Sequence, residues 1–296
     1  MTNLTETISS VDGVSTRVVG GGSGGGRTTV LLHGGLPGLS PFCGGTHLWG
    51  RLLESLAAHG PVLAPDMLAS AGTEAGSGPL TVDRMVAHVA ALLEKQDGPV
   101  HLVGHDLGGL VALWTAIDHA PRVASLSIVA SNAASPTGDG VENLTLLSPP
   151  RPLWSKESQL WAYERLSYSH HHIDDALLDA SVAAATKAGH RAVAAQDTIA
   201  ADSALHVSIM RAKSRFFRVA REDGVKVPTQ IIWAKNDPLV TVDHGVWLYR
   251  IIAAKQRAAQ FHLINRSGSF PFREQPEEFL RLLTAFHAGL GAEQAA

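Results

Sequence analysis

Short apolar-rich runs recur at Thr28 to Leu32, Val62 to Ala64, Val100 to Val103, Val123 to Ala130, Thr229 to Trp233 and Gln260 to Ile264. A continuous apolar run such as Thr28 to Leu32 suits a strand covered on both faces of a sheet. Between these runs the apolar residues fall at helical spacing, over Leu48 to Ala58, Val82 to Lys95, Gly109 to Ile117, Gly245 to Ala253 and Glu277 to Leu290. In the second of these, Val82, Met85, Val86, Val89, Leu92 and Leu93 share one helix face. Strands alternating with amphipathic helices predict an α/β fold with a mostly parallel sheet and helices on both faces. Thr5 to Val19 reads as an opening hairpin, and Gly20 to Gly26 as a flexible turn, since a strand follows at once.

The alternation stops at Ser131. From Pro136 to about Asp223 no strand is evident, and the segment is helix-like, polar and rich in Trp, Tyr and His. The expected organisation is a core of residues 1–135 and 224–296 with an inserted helical cap at 136–223, and a frayed tail from Gly291. The chain of 296 residues, 45% apolar, has room for one large domain with such an insertion. A net charge of −3 and no basic stripe argue against a nucleic-acid partner. The single cysteine, Cys43, rules out an internal disulfide framework and fits a reducing compartment. Residues Met1 to Val14 lack the apolar core of a signal peptide, and no run approaches the roughly 18 apolar residues of a membrane span. The expectation is therefore a cytoplasmic protein with a small-molecule substrate, no membrane or nucleic-acid partner, no cofactor, no metal, and self-association left open.

The segment Gly104-His105-Asp106-Leu107-Gly108-Gly109 follows an apolar strand and opens an apolar helix. That strand–turn–helix context marks a nucleophile elbow, here with aspartate at the projecting position. The small flanking residues permit the tight turn, and the Leu107 N–H is placed to meet a developing oxyanion.

Taken in order, His33-Gly34-Gly35, Ala64-Pro65-Asp66-Met67-Leu68, the elbow, Asn236-Asp237-Pro238 and Phe272-Arg273-Glu274-Gln275-Pro276 make the chain similar to the α/β-hydrolase superfamily, most nearly to the meta-cleavage-product hydrolases, which split a C–C bond in vinylogous diketo acids. The resemblance covers nearly the whole core, whereas the cap matches only in position and helical character. It implies Asp106 at the nucleophile position, Leu107 and Gly35 as oxyanion-hole donors, and Asp237 as the triad acid. It also implies a histidine about thirty residues after that acid, where this chain has Ser269. A serine is no base near neutral pH, and loss of the histidine alone costs a triad hydrolase on the order of 10⁶ in turnover. Haloalkane dehalogenases and epoxide hydrolases, similar around the elbow, use an aspartate nucleophile but still need the histidine to hydrolyse the ester.

Other candidates carry less. His47 lies near the presumed pocket. Trp49, Trp154, Trp161 and Phe270 suggest aromatic substrate contacts, with core packing the equally natural alternative. Arg211, on the last cap segment, is a candidate for holding a carboxylate or enolate. His262 alternates within a strand, and His170-His171-His172 point different ways, which disfavours a shared metal. Three readings stay open: an atypical, non-hydrolytic enzyme with Asp106 as acid/base for elimination, C–C cleavage or cyclisation of an aromatic or polyketide-like carbonyl compound; a hydrolase of an epoxide, ester or C–C bond using Asp106; and a non-catalytic binding protein.

Overall fold

The structure, a computed structural model, describes residues 4–136, 146, 148–195 and 203–295, with main chain only beyond Leu290. The strands are β1 (Thr5–Val11), β2 (Val14–Gly21), β3 (Thr29–Leu32), β4 (Val62–Pro65), β5 (Val100–His105), β6 (Val123–Val129), β7 (Thr229–Ala234) and β8 (Gln260–Ile264). They form one sheet in the order β1-β2-β4-β3-β5-β6-β7-β8. β1/β2 and β2/β4 pair antiparallel, and every later pair is parallel. Every residue of the central strands β3, β5 and β7 is buried, as their apolar runs predict. β1, written TETISSV, is exposed along six of its seven residues. Its polar side chains suit a sheet edge.

The core helices are α1 (Leu52–Ala57), α2 (Val82–Leu93), α3 (Leu107–Asp118), α8 (Val242–Ala253), α9 (Pro271–Glu274) and α10 (Pro276–Ala295), with α4 (Lys156–Leu166), α5 (Asp175–Ala185), α6 (Ala188–Ala194) and α7 (Ala204–Glu222) between β6 and β7. Thr81 caps α2, its hydroxyl accepting from Arg84 N–H, and Val82, Met85, Val86, Val89, Leu92 and Leu93 are all buried. The helix expected over Leu48 to Ala58 is instead a 3₁₀ turn, Thr46–Trp49, followed by the short α1. Gly50, between them at φ 51, interrupts the α-helical path.

The helices following β6 are not packed alike. α4 and α5 lie against each other, and α5 against the turn at 46–49. α6 sits on two loops at the sheet's C-terminal edge: a methyl on Gly38 would fall 2.7 Å from Ala194 N, and one on Gly189 would fall 2.9 Å from Ala69 Cα. α7 packs on the core helices α2 and α8. There the Arg215 guanidinium lies 3.6 Å over the Trp114 ring, between Asp83 at 3.5 Å and Asp118 at 3.6 Å. No helix among the described residues is long and apolar enough to cross a membrane.

The crest of the sheet is braced by Asp66, fully buried after β4. Its Oδ1 accepts from Thr46 N–H at 2.7 Å, and its Oδ2 from Gly72 N–H at 3.0 Å and Arg17 Nη1–H at 2.9 Å. Asp66→Ala would leave these donors without their acceptor, and urea denaturation should show a loss of about 2–3 kcal/mol. An unchanged midpoint would show that the brace carries no stability.

Candidate active site

The elbow owes its shape to two glycines. A methyl on Gly104 would lie 2.2 Å from Gly108 O, and one on Gly108 would lie 2.2 Å from Leu32 O. One is a main-chain atom of α3 and the other of β3, and neither can step aside. Gly108→Ala should therefore destabilise the fold by roughly 1–3 kcal/mol or more. A variant as stable as the parent by chemical denaturation would contradict the close approach of α3 to β3.

The turn places Asp106 at φ 47, ψ −116. This left-handed backbone costs a side-chain-bearing residue of order 1–3 kcal/mol, a strain that folds tolerate mainly at functional sites. The position is held from behind by Ser131, whose hydroxyl donates to Asp106 O and accepts from Ala134 N–H at 3.0 Å. Ser131 was not legible as part of the site, because only the fold brings the end of β6 under the elbow.

Asp106 is partly exposed. Although it is the N-cap residue of α3, its carboxylate makes no capping bond. Oδ2 instead accepts from Gly35 N–H across the cleft at 3.1 Å. Gly35 itself has φ 91 and is hemmed by Phe42 and Gly44, so the loop that presents this amide requires glycine there. Leu107 opens α3, and its N–H belongs to the first turn, which has no intrahelical acceptor. Asp106, Gly35 and Leu107 thus stand together as expected.

Asp237 and Ser269 also meet. Ser269 Oγ–H donates to Asp237 Oδ1 at 2.8 Å, and the same oxygen accepts from Leu239 N–H at 2.9 Å and Val240 N–H at 3.1 Å. Asp237 Oδ2 is buried and has no hydrogen-bond partner among the described residues. Burial pushes the carboxyl up to about 7, against the pull of its three hydrogen bonds, and the charge at Asp106 adds to the rise. Asp237 is thus a buried carboxyl that holds its proton towards neutral pH.

The imidazole next to Asp106 in sequence is turned away from its carboxylate. His105 Nε2–H donates to Ser269 O at 2.8 Å, while its Nδ1 is buried and unpartnered. Burial holds it below the ordinary imidazole range, opposed by the charge at Asp106. Among the described residues no histidine hydrogen-bonds the Asp106 carboxylate. His33 is likewise committed, donating through Nδ1–H to Gly34 O and accepting at Nε2 from Met67 N–H, each at 2.9 Å. His262 contacts Gln260 within β8, and His170, His171 and His172 take three different partners, Glu164 O, Ser169 Oγ and Ser167 Oγ.

Several expected substrate contacts are displaced by packing. Trp49 is fully buried 4.5 Å from the Phe272 ring, and Phe270 is fully buried among Phe42, Tyr163, His105 and Phe272. Phe270 has no surface left for a ligand and is corrected to a core residue; Trp49 is packed into the core as well, at the wall of the cleft that reaches Arg51 and Arg273. Arg211 is exposed on α7, the helix on α2 and α8, and no contact brings it to the elbow. Trp154 Nε1–H donates to Ser40 O at 3.0 Å and its ring meets His190 edge-on. Trp161 is half-buried beneath the Arg165 guanidinium. His47 Nε2 lies 3.1 Å from both Cys43 O and Ser181 Oγ.

Two clefts border His47, one of about 450 Å³ reaching Arg17 and Lys187, the other of about 520 Å³ reaching Arg51 and Arg273. Asp106 lines neither. The elbow is nonetheless the better site, because strain, exposure and converging amides meet there, and room alone confers no chemistry. Burial pushes the Cys43 thiol up to about 12, which disfavours the thiolate a nucleophile needs. Sequence reading missed two ties. Gln159 in α4 accepts from Cys43 N–H at 3.2 Å, joining α4 to the Gly-rich loop. Buried Glu274 accepts from Gly268 N–H at 2.7 Å and from Tyr168 and Ser169 N–H at 2.9 Å, joining the Ser269 loop to the segment after α4.

Comparison with known proteins agrees with this architecture. The chain is 27% identical over 268 residues to a 2-hydroxy-6-oxo-2,4-heptadienoate hydrolase of Pseudomonas putida, covering 90% of each chain. It is 26% identical over 279 residues to a monoacylglycerol lipase of Bos taurus, covering 88% of this chain and 75% of the relative. A solved meta-cleavage product hydrolase of Pseudomonas fluorescens superposes with a TM-score of 0.76 at 21% identity, covering 96% of this chain and 97% of that one, a likeness of fold. The model of the alpha/beta hydrolase family matches residues 29–282, which with the sheet order and the elbow places this chain in that family.

Proposed function

We propose that the protein is an α/β-hydrolase-family enzyme in which Asp106 moves protons on a small aromatic or polyketide-like carbonyl substrate, in elimination, C–C cleavage or cyclisation. The observation that carries this reading is the hydrogen bond from Ser269 to Asp237: the acid of the triad is engaged by a hydroxyl that cannot deprotonate water. A lone carboxylate remains competent for one kind of work. Asp106 takes a proton from a substrate C–H or O–H, and negative charge moves to the substrate oxygen. As the carboxyl becomes neutral it releases Gly35 N–H, which together with Leu107 N–H is then available to that oxygen. The proton returns to another substrate atom, so no water-activating base is needed.

The test is solvent deuterium exchange. Small aryl ketones, whose uncatalysed exchange is slow, are incubated with protein in ²H₂O and followed by NMR. Exchange at the α-carbon that depends on the protein and on Asp106 is expected; exchange no faster than in buffer rejects the reading. A second reading, hydrolysis with Asp106 as nucleophile, draws support from the hydrolase names of the relatives. It requires an ester on Asp106 that this site resolves slowly. Intact-protein mass spectrometry after reaction with an epoxide or ester should then show a stable adduct.

A further inference from the structure

The charges around the elbow are unbalanced. Among the described residues the Asp106 carboxylate accepts a single hydrogen bond, from an uncharged amide, and the Asp237 carboxyl accepts three from uncharged donors. Neither carboxyl forms an ion pair with Lys, Arg or His among the described residues. The residues outside them, 1–3, 137–145, 147, 196–202 and 296, include no Lys, Arg or His; they include Asp139, Glu142, Asp197 and Asp202. Every lysine and arginine of the chain therefore lies among the described residues, and the prominent ones are engaged elsewhere. Arg17 holds Glu6 and Asp66, Arg215 lies between Asp83 and Asp118, and Arg273 donates to His47 O, Leu48 O and His172 O. The nearby imidazole, His105, is buried and gives its N–H to a main-chain carbonyl. Asp237 Oδ2 adds a buried oxygen with no hydrogen-bond partner among the described residues.

We infer that the site selects a substrate carrying a protonated amine and rejects one carrying a carboxylate, with the Asp106 carboxylate as the group that reads the charge. Two unit charges about 4 Å apart at a protein surface interact strongly enough to change affinity by orders of magnitude before desolvation is counted. A ligand carboxylate meets a site whose two carboxyls have no paired cation among the described residues, and it faces Asp106. An ammonium group finds in Asp106 a partly exposed carboxylate with no ionic partner among the described residues, while its carbonyl oxygen turns to the Leu107 amide. This would separate the chain from relatives whose names specify dienoate substrates. The inference rests on the reading that ligands bind against Asp106, and not on which reaction follows.

Three aryl ketones of matched size serve as probes: 4-(aminomethyl)acetophenone, 4-acetylbenzamide and 4-acetylbenzoate. Binding is measured by ligand-observed NMR titration against the full chain and against Asp106→Asn, whose circular dichroism is checked first. The amine should bind at least tenfold more tightly than the amide, and the benzoate more weakly than both. In Asp106→Asn the amine and amide should come within about threefold of each other. Equal or tighter binding of the benzoate, survival of the ordering in Asp106→Asn, or failure of all three probes to bind would overturn the inference. Deuterium exchange that depends on Asp106 without any charge ordering would leave the proposed function standing and remove this inference alone. Charge ordering without Asp106-dependent exchange would do the reverse.

Discussion

Asp106→Asn is expected to lower turnover by roughly 10²–10⁴-fold, the usual contribution of a positioned acid or base. The fold should survive, because asparagine tolerates the positive φ of 47 that the elbow imposes, and the side-chain amide oxygen still accepts from Gly35 N–H. What the substitution removes is the ability to gain and return a proton. Initial rates of deuterium exchange, with thermal melts as a control, check this. A fully active asparagine variant would exclude the carboxylate from the chemistry. An unstable one would be replaced by Asp106→Ser, which also removes the base.

Asp237→Asn should change the pH dependence of stability by as much as about 4 kcal/mol. Burial raises the folded-state value of Asp237 from 3.8 to about 7, so the folded protein binds this proton more tightly than the unfolded chain. The stabilising contribution is complete below the unfolded value and is lost as pH rises through about 7. A shift of about three units at 1.36 kcal/mol each gives the limit of about 4 kcal/mol. Asparagine keeps an acceptor for Ser269, Leu239 and Val240 without ever ionising, so it should be the more stable protein at pH 8 and lose its advantage near pH 4. The buried histidines act in the opposite sense. His47, His88, His101, His172, His190 and His287 are all lowered by burial, so their contribution is present above the unfolded value near 6.5 and is lost as pH falls. Only the difference between parent and variant isolates Asp237. Urea midpoints for both at pH 5 and pH 8 measure it, and parallel pH slopes would show that Asp237 is not buried as described.

Legibility differed between parts of the site for a definite reason. The elbow could be found in the chain because its steric demands are local: glycines at 104 and 108, an apolar strand before and an apolar helix after. The substitution of serine for the expected histidine at 269 was legible because the spacing from Asp237 survives. The aromatic residues were not separable into wall and core. Trp49 and Phe270 are as apolar as any pocket lining, and only their neighbours decide that they are wholly enclosed. Arg211 and Arg215 occupy the same helical register four residues apart. What distinguishes them is the proximity of Asp83, Asp118 and Trp114 to Arg215, supplied by segments a hundred residues away.

The amino-acid order alone determined the alternation of strands and helices, the opening hairpin, the elbow with its carboxylate, and a serine at 269 where the resemblance implies a histidine. These follow from backbone sterics and from apolar periodicity, which act over a few residues and are written along the chain. Only the tertiary structure decided that Asp106 accepts from Gly35 rather than capping its helix, that Ser269 engages Asp237, that one oxygen of Asp237 has no partner among the described residues, and that His105 is turned to a carbonyl. Each of these depends on loops brought together at the sheet's C-terminal edge from distant parts of the chain. There, burial and orientation, rather than residue type, set the chemistry.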